Sequence, residues 1–596
     1  MIEKMKKITL FVVAQEKDKM LYRLREMGVM HIHAIADIEN KNQTQVIKKI
    51  DEIARAIEIL SGIKVFPAER KEPTVWTLAT ALKKAEEINF LTAKKQQLEQ
   101  AIGVLEKDKE WFKERGDINP RDIKEFQRQG LYIKFYKIPK KDFERVDKKQ
   151  LLWFKEAGVW VYTAFLFSDD VETVGVFEEN KMPLRELKEI EGDISVANKE
   201  LEEIQTKIIE SYRGLAELKK IHEYFLKRKN FLMVKEGMKR EQLFAYVQGF
   251  VPAKTENKIK KLAQETGVGY VIEEIDNAVE APTLITNPRC IDIIKPVFKF
   301  MNTIPGYDEY DISFYFLVFF SLFFAMLVGD AGYGIIFFIL TAYFKRKFRN
   351  APKEPFYLMF LLSGATITWG AVTGTWFGSE QIAKLPILSS FIIERINGFI
   401  EGNQSFMMFL CFIIGAAHLT VAHLIKIVRM INSTRAISQA GWIFIVWGMF
   451  FTANSFVLGR PFPFFAGHFF WIGILMVLIF ENFQKNIFKG MMASIVDLPL
   501  NVISAFSDVV SYLRLFAVGY AGTVMAESFN NMALANGCGT FLSGLSAAMI
   551  LFLGHTLNIV MSLMAVLVHG IRLNMLEFCG HLGMQWAGKE YKPFKE

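Results

Sequence analysis

From Asp311 onward the chain is built of long runs of Phe, Leu, Ile, Gly and Ala, and these runs constrain its fold more than any other feature. Segments near the ~20-residue length needed to cross a bilayer as a helix fall at about 312–328, 330–345, 357–377, 405–425, 438–458, 464–483, 495–530 and 541–582. The expectation is about eight spans, the last two long enough to tilt or to project from the bilayer. Before Asp311 the chain is rich in Lys and Glu, so a soluble half precedes a membrane half. The opening MIEKMKKITLFVV is basic, but its apolar run is shorter than the ~7–15 residues of a secretory core, so the soluble half is expected to stay in the cytoplasm.

Charge orients the spans. Lys345, Arg346, Lys347, Arg349 and Lys353 fill one loop, and Lys426, Arg429 and Arg435 the next alternate one. Lys485 and Lys489, then Lys589, Lys592 and Lys595, continue that set. The opposite loops hold only Lys384, Arg395 and Arg460, beside Glu380, Glu394 and Glu401. The positive-inside rule therefore puts the soluble half, the basic loops and the C-terminus in the cytoplasm. The same distribution accounts for the net charge of +8 without nucleic acid. Four scattered cysteines show no metal-type spacing, so neither a zinc site nor a disulfide framework is implied.

In the soluble half, Val46, Ile50, Ile53, Ile57 and Leu60 recur at steps of four and three, a helical seam of coiled-coil type. A longer seam runs from Leu187 through Ile190, Ile194, Ala197, Leu201, Ile204 and Ile208 to Leu215, Leu218 and Phe225. Two such seams, expected over about 44–113 and 184–228, can pair as an antiparallel hairpin. Strand-like pieces LYIKFYKI, VWVYTAFLF and QLFAYVQGFVP, with helices in KKDFERVDKKQ and KIKKLAQETG, read as α/β lobes. The expected division is an arm over 1–305 and a membrane domain over 306–596. No phosphate-binding glycine loop and no nucleophile elbow occurs, so the arm reads as structural, without a cofactor.

The exception to the apolar pattern is SDVVSYLRLFAVGYAG, where Arg514 lies inside a span. An arginine stays charged, and in the bilayer it costs from about 3 to more than 10 kcal/mol unless paired or wetted. Ser507, Ser511, Val518 and Ala521 share its helical face. Asp508, six residues back, is turned about 120° away, so the counter-charge is expected from elsewhere. The last span carries Arg572 with His569 one turn earlier on the same face, while Asn574, Glu577 and His581 form a separate polar stripe. Two arginines do not neutralise each other, so packed together these helices would face a carboxylate of another subunit, whose ionised form the arginine favours. His418, His423, His468 and His555 read as hydrogen-bonded structural residues, and Asp330 in VGDAGYG as a cap or turn.

These residues resemble one family, the membrane-embedded stator subunit of rotary V-type and archaeal-type ATPases, called subunit a or subunit I. The marks are SYLRLFAVGYAG at 511–522, HGIRLNMLEF at 569–578, YKPF near the end and GDAGYG at 329–334, with TGTWFGS at 373–379 weaker. The resemblance implies an α-helical membrane protein preceded by a coiled-coil arm with α/β lobes. It also implies a non-catalytic role at a multi-pass site in a prokaryotic cell membrane, with ATP bound by other subunits.

The implied partners are a rotor ring of small membrane subunits with ion-binding carboxylates, peripheral stalk subunits on the arm, other ATPase subunits and membrane lipid. The resemblance gives the essential arginine to Arg514, the second to Arg572, and an acidic position to Glu577. It departs at Gly522 and Ser562, where eukaryotic members carry a histidine and a glutamate. The outer half of the H⁺ or Na⁺ path must then use other polar groups, for which Asp508, Ser562 and His555 are candidates. A stand-alone secondary transporter would need a midplane site, often with related repeats, and no repeat is evident. A membrane-anchored coiled-coil scaffold would leave Arg514 without a reason.

Overall fold

The computed structural model describes all of the chain except residues 33–40, 64–75, 148, 171–172, 175–176, 242, 276–277, 401, 483–486, 536–539 and 596. The chain forms two compact units, Met1–His33 with Tyr246–Lys595, and Ala34–Ala245.

In the second of these, helices Lys41–Ser61, Leu78–Arg115, Leu187–Ser211 and Leu215–Gly237 share one core. Both seams supply it: Val46, Ile50, Ile53 and Leu60 from one, Ile204, Ile208, Leu218 and Phe225 from the other. Lys109 pairs with Glu191 at 2.9 Å and Lys94 with Glu200, so Leu78–Arg115 and Leu187–Ser211 run antiparallel. A three-stranded antiparallel sheet places Trp160–Phe167 between Tyr132–Pro139 and Leu151–Ala157. The helix expected over KKDFERVDKKQ is a single turn, Lys140–Phe143. Asp147 Oδ1 accepts from the Lys149 backbone N–H at 3.1 Å, a turn that competes with helix and turns the chain toward the strand Leu151–Ala157.

In the other unit, a sheet ordered His31–Ile32, Phe244–Pro252, Met5–Val13 and Gly269–Glu273 carries the helices Lys17–Met27 and Glu256–Thr266. Its strand Met5–Val13 buries Ile8, Leu10 and Val12, as the alternation of that stretch dictates. The C-terminal tail holds this lobe beside the membrane helices. Lys589–Glu590 pairs in parallel with Pro282–Thr283, Phe594 N–H donates to Met30 O at 2.8 Å, and Gly588 N–H donates to Ile304 O at 3.1 Å. Residues 1–33 and 246–305 therefore group with the membrane helices, and the chain does not divide at 305.

All eight apolar runs emerge as helices. Among the described residues five are long and apolar enough to cross a membrane: Glu354–Thr373, Gln404–Arg429, Arg435–Leu458, Leu498–Leu534 and Phe541–Leu582. Phe464–Phe480 is shorter, and Ser313–Val328 and Ala331–Lys347 form a pair bent by 119°. The bend has a clear cause. Gly329 takes a left-handed conformation (φ 68) that ends the first helix, and Asp330 starts the second by accepting from Gly332 and Tyr333 N–H at 2.8 and 3.2 Å. The other Asp330 oxygen accepts from Gly378 N–H at 2.9 Å, so GDAGYG and TGTWFGS are two sides of one joint. Asp330 thus has the capping role that its Gly-rich setting predicts.

Candidate functional site

Arg514 opens the helix Leu513–Leu534, which continues from Ile487–Ser511 through a tight turn at Tyr512. Its Nε donates to the Ser511 carbonyl at 3.0 Å, and its Nη2 donates to Glu577 Oε1 at 2.5 Å. Arg572 Nε lies 3.7 Å from the same oxygen. Glu577 is 3% exposed, Arg514 23% and Arg572 53%, so one buried carboxylate is shared by two cations that reach the surface.

This arrangement corrects two expectations. The counter-charge of Arg514 is on its own chain, not reserved for another subunit, and Glu577 does not stand in a stripe apart from Arg572. At 3.6 residues per turn Arg572 and Glu577 lie about 140° apart. The last helix, however, widens into two π-helical stretches, Val566–Gly570 and Leu573–Phe578. Hydrogen bonds that run from i to i+5 bring residues five apart onto one side, so Glu577 turns toward both arginines. Asn574, in the same stretch, is fully buried and donates to Gly570 O at 3.3 Å. His569 is half-buried with no partner at Nδ1 among the described residues, and Ser507 is exposed.

The remaining predicted residues gather in two other places. Asp508 Oδ2 meets His581 Nε2 at 3.0 Å, and His581 Nδ1 meets His423 Nε2 at 3.0 Å. His555 Nδ1 meets Tyr333 Oη at 2.7 Å and its Nε2 meets Asn530 Oδ1 at 3.1 Å. Asn558 joins this second group, donating to Tyr333 Oη at 3.0 Å and to Gly522 O at 2.8 Å. A Cβ at Gly522 would lie 3.4 Å from Asn558 Oδ1 and 3.9 Å from Ser562 Oγ. The two departures from the eukaryotic pattern are therefore neighbours, and an amide stands beside them. Tyr333, Asn530, Asn558, His423 and Gln439 were not legible as site residues, because only distant packing brings them to their partners. His418 keeps its structural place, with Nδ1 2.8 Å from Tyr512 Oη and its ring stacked on Phe578 at 4.3 Å.

Beside the Arg514 helix lies a cavity of about 50 Å³. Thr373, Thr375, Asn403, Gln404, Tyr520 and Thr523 give it a neutral, hydrogen-bonding wall with room for water.

The chain is 30% identical to the V-type ATP synthase subunit I of Borreliella burgdorferi, and the match covers all of both chains. The chain belongs to the V-type ATP synthase subunit I family. The V-type ATP synthase subunit I 1 of Treponema pallidum is 26% identical, again over the full length of both. No family model matches. Among solved structures, the cytoplasmic N-terminal domain of a subunit I, described as a homologue of subunit a of V-ATPase, aligns with 45% of this chain and 99% of that one. The identity there is 13% and the TM-score 0.23, too low to bear on the fold. The identification thus rests on full-length sequence similarity to subunit I proteins, with a helical membrane half in agreement.

Proposed function

We propose that this chain is the static side of the ion path in a rotary ATPase, non-catalytic itself, with ATP handled by other subunits. The observation that carries the reading is Arg514, a permanent charge inside a 37-residue apolar helix, with its guanidinium partly exposed and its partner Glu577 buried behind it. A cation held from behind and open in front suits a partner that arrives and leaves, namely the carboxylates of a rotor ring passing the face of the last two helices. Along the last helix Leu545, Met549, Phe552, Leu553 and Met561 are exposed, apolar surface suited to a membrane-embedded ring or lipid.

An arginine near a ring carboxylate favours its ionised form and so releases the carried ion on one side while blocking direct leakage between the two. The water-sized cavity walled by Thr373, Asn403 and Thr523 and the His555–Asn558 group serve the non-cytoplasmic side, which the charge rule assigns to the loop holding Glu380 and Glu394. The arm of residues 34–245 takes the peripheral stalks and resists torque.

The test is Arg514→Ala in sealed vesicles containing the assembled complex. ATP hydrolysis should persist or decline without forming an ion gradient. Coupled pumping at the wild-type rate would remove the reading.

A further inference from the structure

Two basic clusters close helices on the side that the charge rule assigns to the cytoplasm, and they are built differently. In one, Lys426 Nζ donates to the His581 carbonyl at 3.2 Å and Arg429 Cζ lies 4.7 Å from the centre of the Tyr310 ring, so two of its cations are held against the protein. In the other, Lys345, Arg346, Lys347, Arg349 and Lys353 crowd nine residues that contain no acid. Glu354 follows directly, yet among the described residues none of the five side chains donates to a carboxylate or a carbonyl.

Aromatic rings hold two of these cations in place. Lys345 Nζ lies 4.4 Å from the centre of the Tyr357 ring and 5.3 Å from that of Phe360, which ties the end of helix Ala331–Lys347 to helix Glu354–Thr373. Lys347 Nζ lies 5.8 Å from the Tyr343 ring and 5.9 Å from that of Phe348. A ring face attracts an ammonium through its quadrupole, and the ammonium carries three donors. Both lysines therefore keep N–H groups for an anion. The turn between the helices is itself hydrogen-bonded, with Ala351 N–H donating to Phe348 O at 3.2 Å and Tyr357 N–H to Lys353 O at 3.1 Å.

The surface around the cations is apolar. Tyr343 is 56% exposed, Phe348 52% and Tyr357 47%. Helix Lys295–Met301 packs against Glu354–Thr373. It turns Phe298 inward onto Phe316, with centroids 5.0 Å apart, and leaves Lys299 and Phe300 exposed. The 119° bend sends Ala331–Lys347 back toward the side where Ser313–Val328 begins. Lys295–Met301 precedes that beginning, so its exposed lysine and phenylalanine lie on the same side as the basic turn.

This surface makes two demands at once. Crowded like charges without an acid require an anion, and exposed rings require apolar cover. A soluble anion meets only the first demand. A phospholipid with an anionic headgroup meets both, with its phosphate among the cations and its acyl chains along the rings. Basic clusters beside spans attract anionic lipid, and amphipathic aromatic side chains sit at headgroup level.

We propose that the turn 345–353, with the rings of Tyr343, Phe348 and Tyr357, binds one anionic phospholipid between the ends of Ala331–Lys347 and Glu354–Thr373. The bound lipid bridges the two helices and so stabilises the folded chain. The proposal requires the membrane placement of the chain and not the stator reading, and its test reads lipid binding, not pumping.

The test uses the purified full chain in a neutral detergent, a fluorescent short-chain phosphatidylglycerol, and the phosphatidylcholine analogue as reference. Phosphatidylglycerol should bind saturably, about tenfold or more tighter than phosphatidylcholine, and should raise the Tm. In Lys345→Gln/Lys347→Gln each lost charge should weaken binding by about fivefold, about 25-fold together. Arg346→Gln/Arg349→Gln, on exposed side chains, should give a similar loss without disturbing the ring contacts. Arg429→Gln/Arg435→Gln removes as much charge from the other cluster and should leave the affinity unchanged. Equal binding of the two lipids, or equal losses at the two clusters, would overturn the site. Competition by glycerol phosphate as effective as that of the lipid would overturn a lipid as its ligand. Release of an acidic subunit from the assembled complex by Lys345→Gln/Lys347→Gln, with phosphatidylglycerol binding unchanged, would overturn the proposal in favour of a protein partner.

Discussion

Replacing Glu577 by glutamine leaves two arginines around a neutral side chain. Two charges about 4 Å apart attract by about 4 kcal/mol at an effective dielectric of 20, and desolvating the carboxylate offsets much of that. The pair therefore adds little net stability as a whole. Breaking it is different, because removing one member of a fully buried pair costs about 3–5 kcal/mol through the charge left behind. Glu577 is nearly fully buried, but Arg514 keeps 23% of its side-chain surface and Arg572 53%. Partial solvation of the guanidiniums roughly halves the penalty, to about 2 kcal/mol, or a factor of about 30.

That energy shows in function through Arg514. Without Glu577 behind it, the guanidinium binds a ring carboxylate more tightly and releases it more slowly. ATP-driven gradient formation in vesicles, normalised to the ATPase rate, should fall by about tenfold or more in Glu577→Gln. Glu577→Asp, which keeps the charge on a shorter arm, should fall between the two. An assembled Glu577→Gln complex that pumps at the wild-type rate would refute the reasoning, because Arg514 would then need no partner on its own chain.

Asp330→Ala removes the acceptor of three backbone N–H groups and leaves that of Gly378 unmet. The cost should be about 2–4 kcal/mol, seen as a lower Tm of the solubilised protein, and an unchanged Tm would deny the joint its role. Gly370→Ala would place a Cβ 2.1 Å from the Ala331 nitrogen, which already donates to Thr375 O. Overpacking of about 1–3 kcal/mol should outweigh the ~1 kcal/mol that alanine gains in a helix, so stability should drop, and a rise would refute the close crossing.

In the arm, burial and a hydrogen bond to Glu114 push the Tyr162 phenol up to about 12. Its unfolded value is about 10, so the stability it contributes is complete below pH 10 and is lost as pH rises through the folded value. Absorbance titration should place Tyr162 among the tyrosines that ionise late, with Tyr136 and Tyr591, and Glu114→Gln should bring one of that group earlier.

The sequence by itself determined the elements and their order. Runs of ~20 apolar residues force helices in a bilayer, because unpaired backbone groups there cost several kcal/mol each. Steps of three and four force the seams that Val46 to Leu60 and Ile204 to Phe225 bury. Arg514 announced itself because charge in an apolar run is expensive wherever the helix goes. Asp330 was legible because a cap acts on the next two or three residues.

Only the tertiary structure decided the partners. Helical periodicity at 3.6 residues per turn separated Arg572 from Glu577, and two π-helical stretches reunited them. Nothing in the local pattern marks a change of hydrogen-bond register. Likewise, Asp508 meets His581 across 73 residues and His581 meets His423 across 158. Those pairs depend on which helices pack together. The bent pair at Gly329 carries the same lesson, since apolar length alone does not distinguish two spans from one broken helix. A side chain's cost is local and can be read in order along the chain, but its compensation is spatial and waits on the packing.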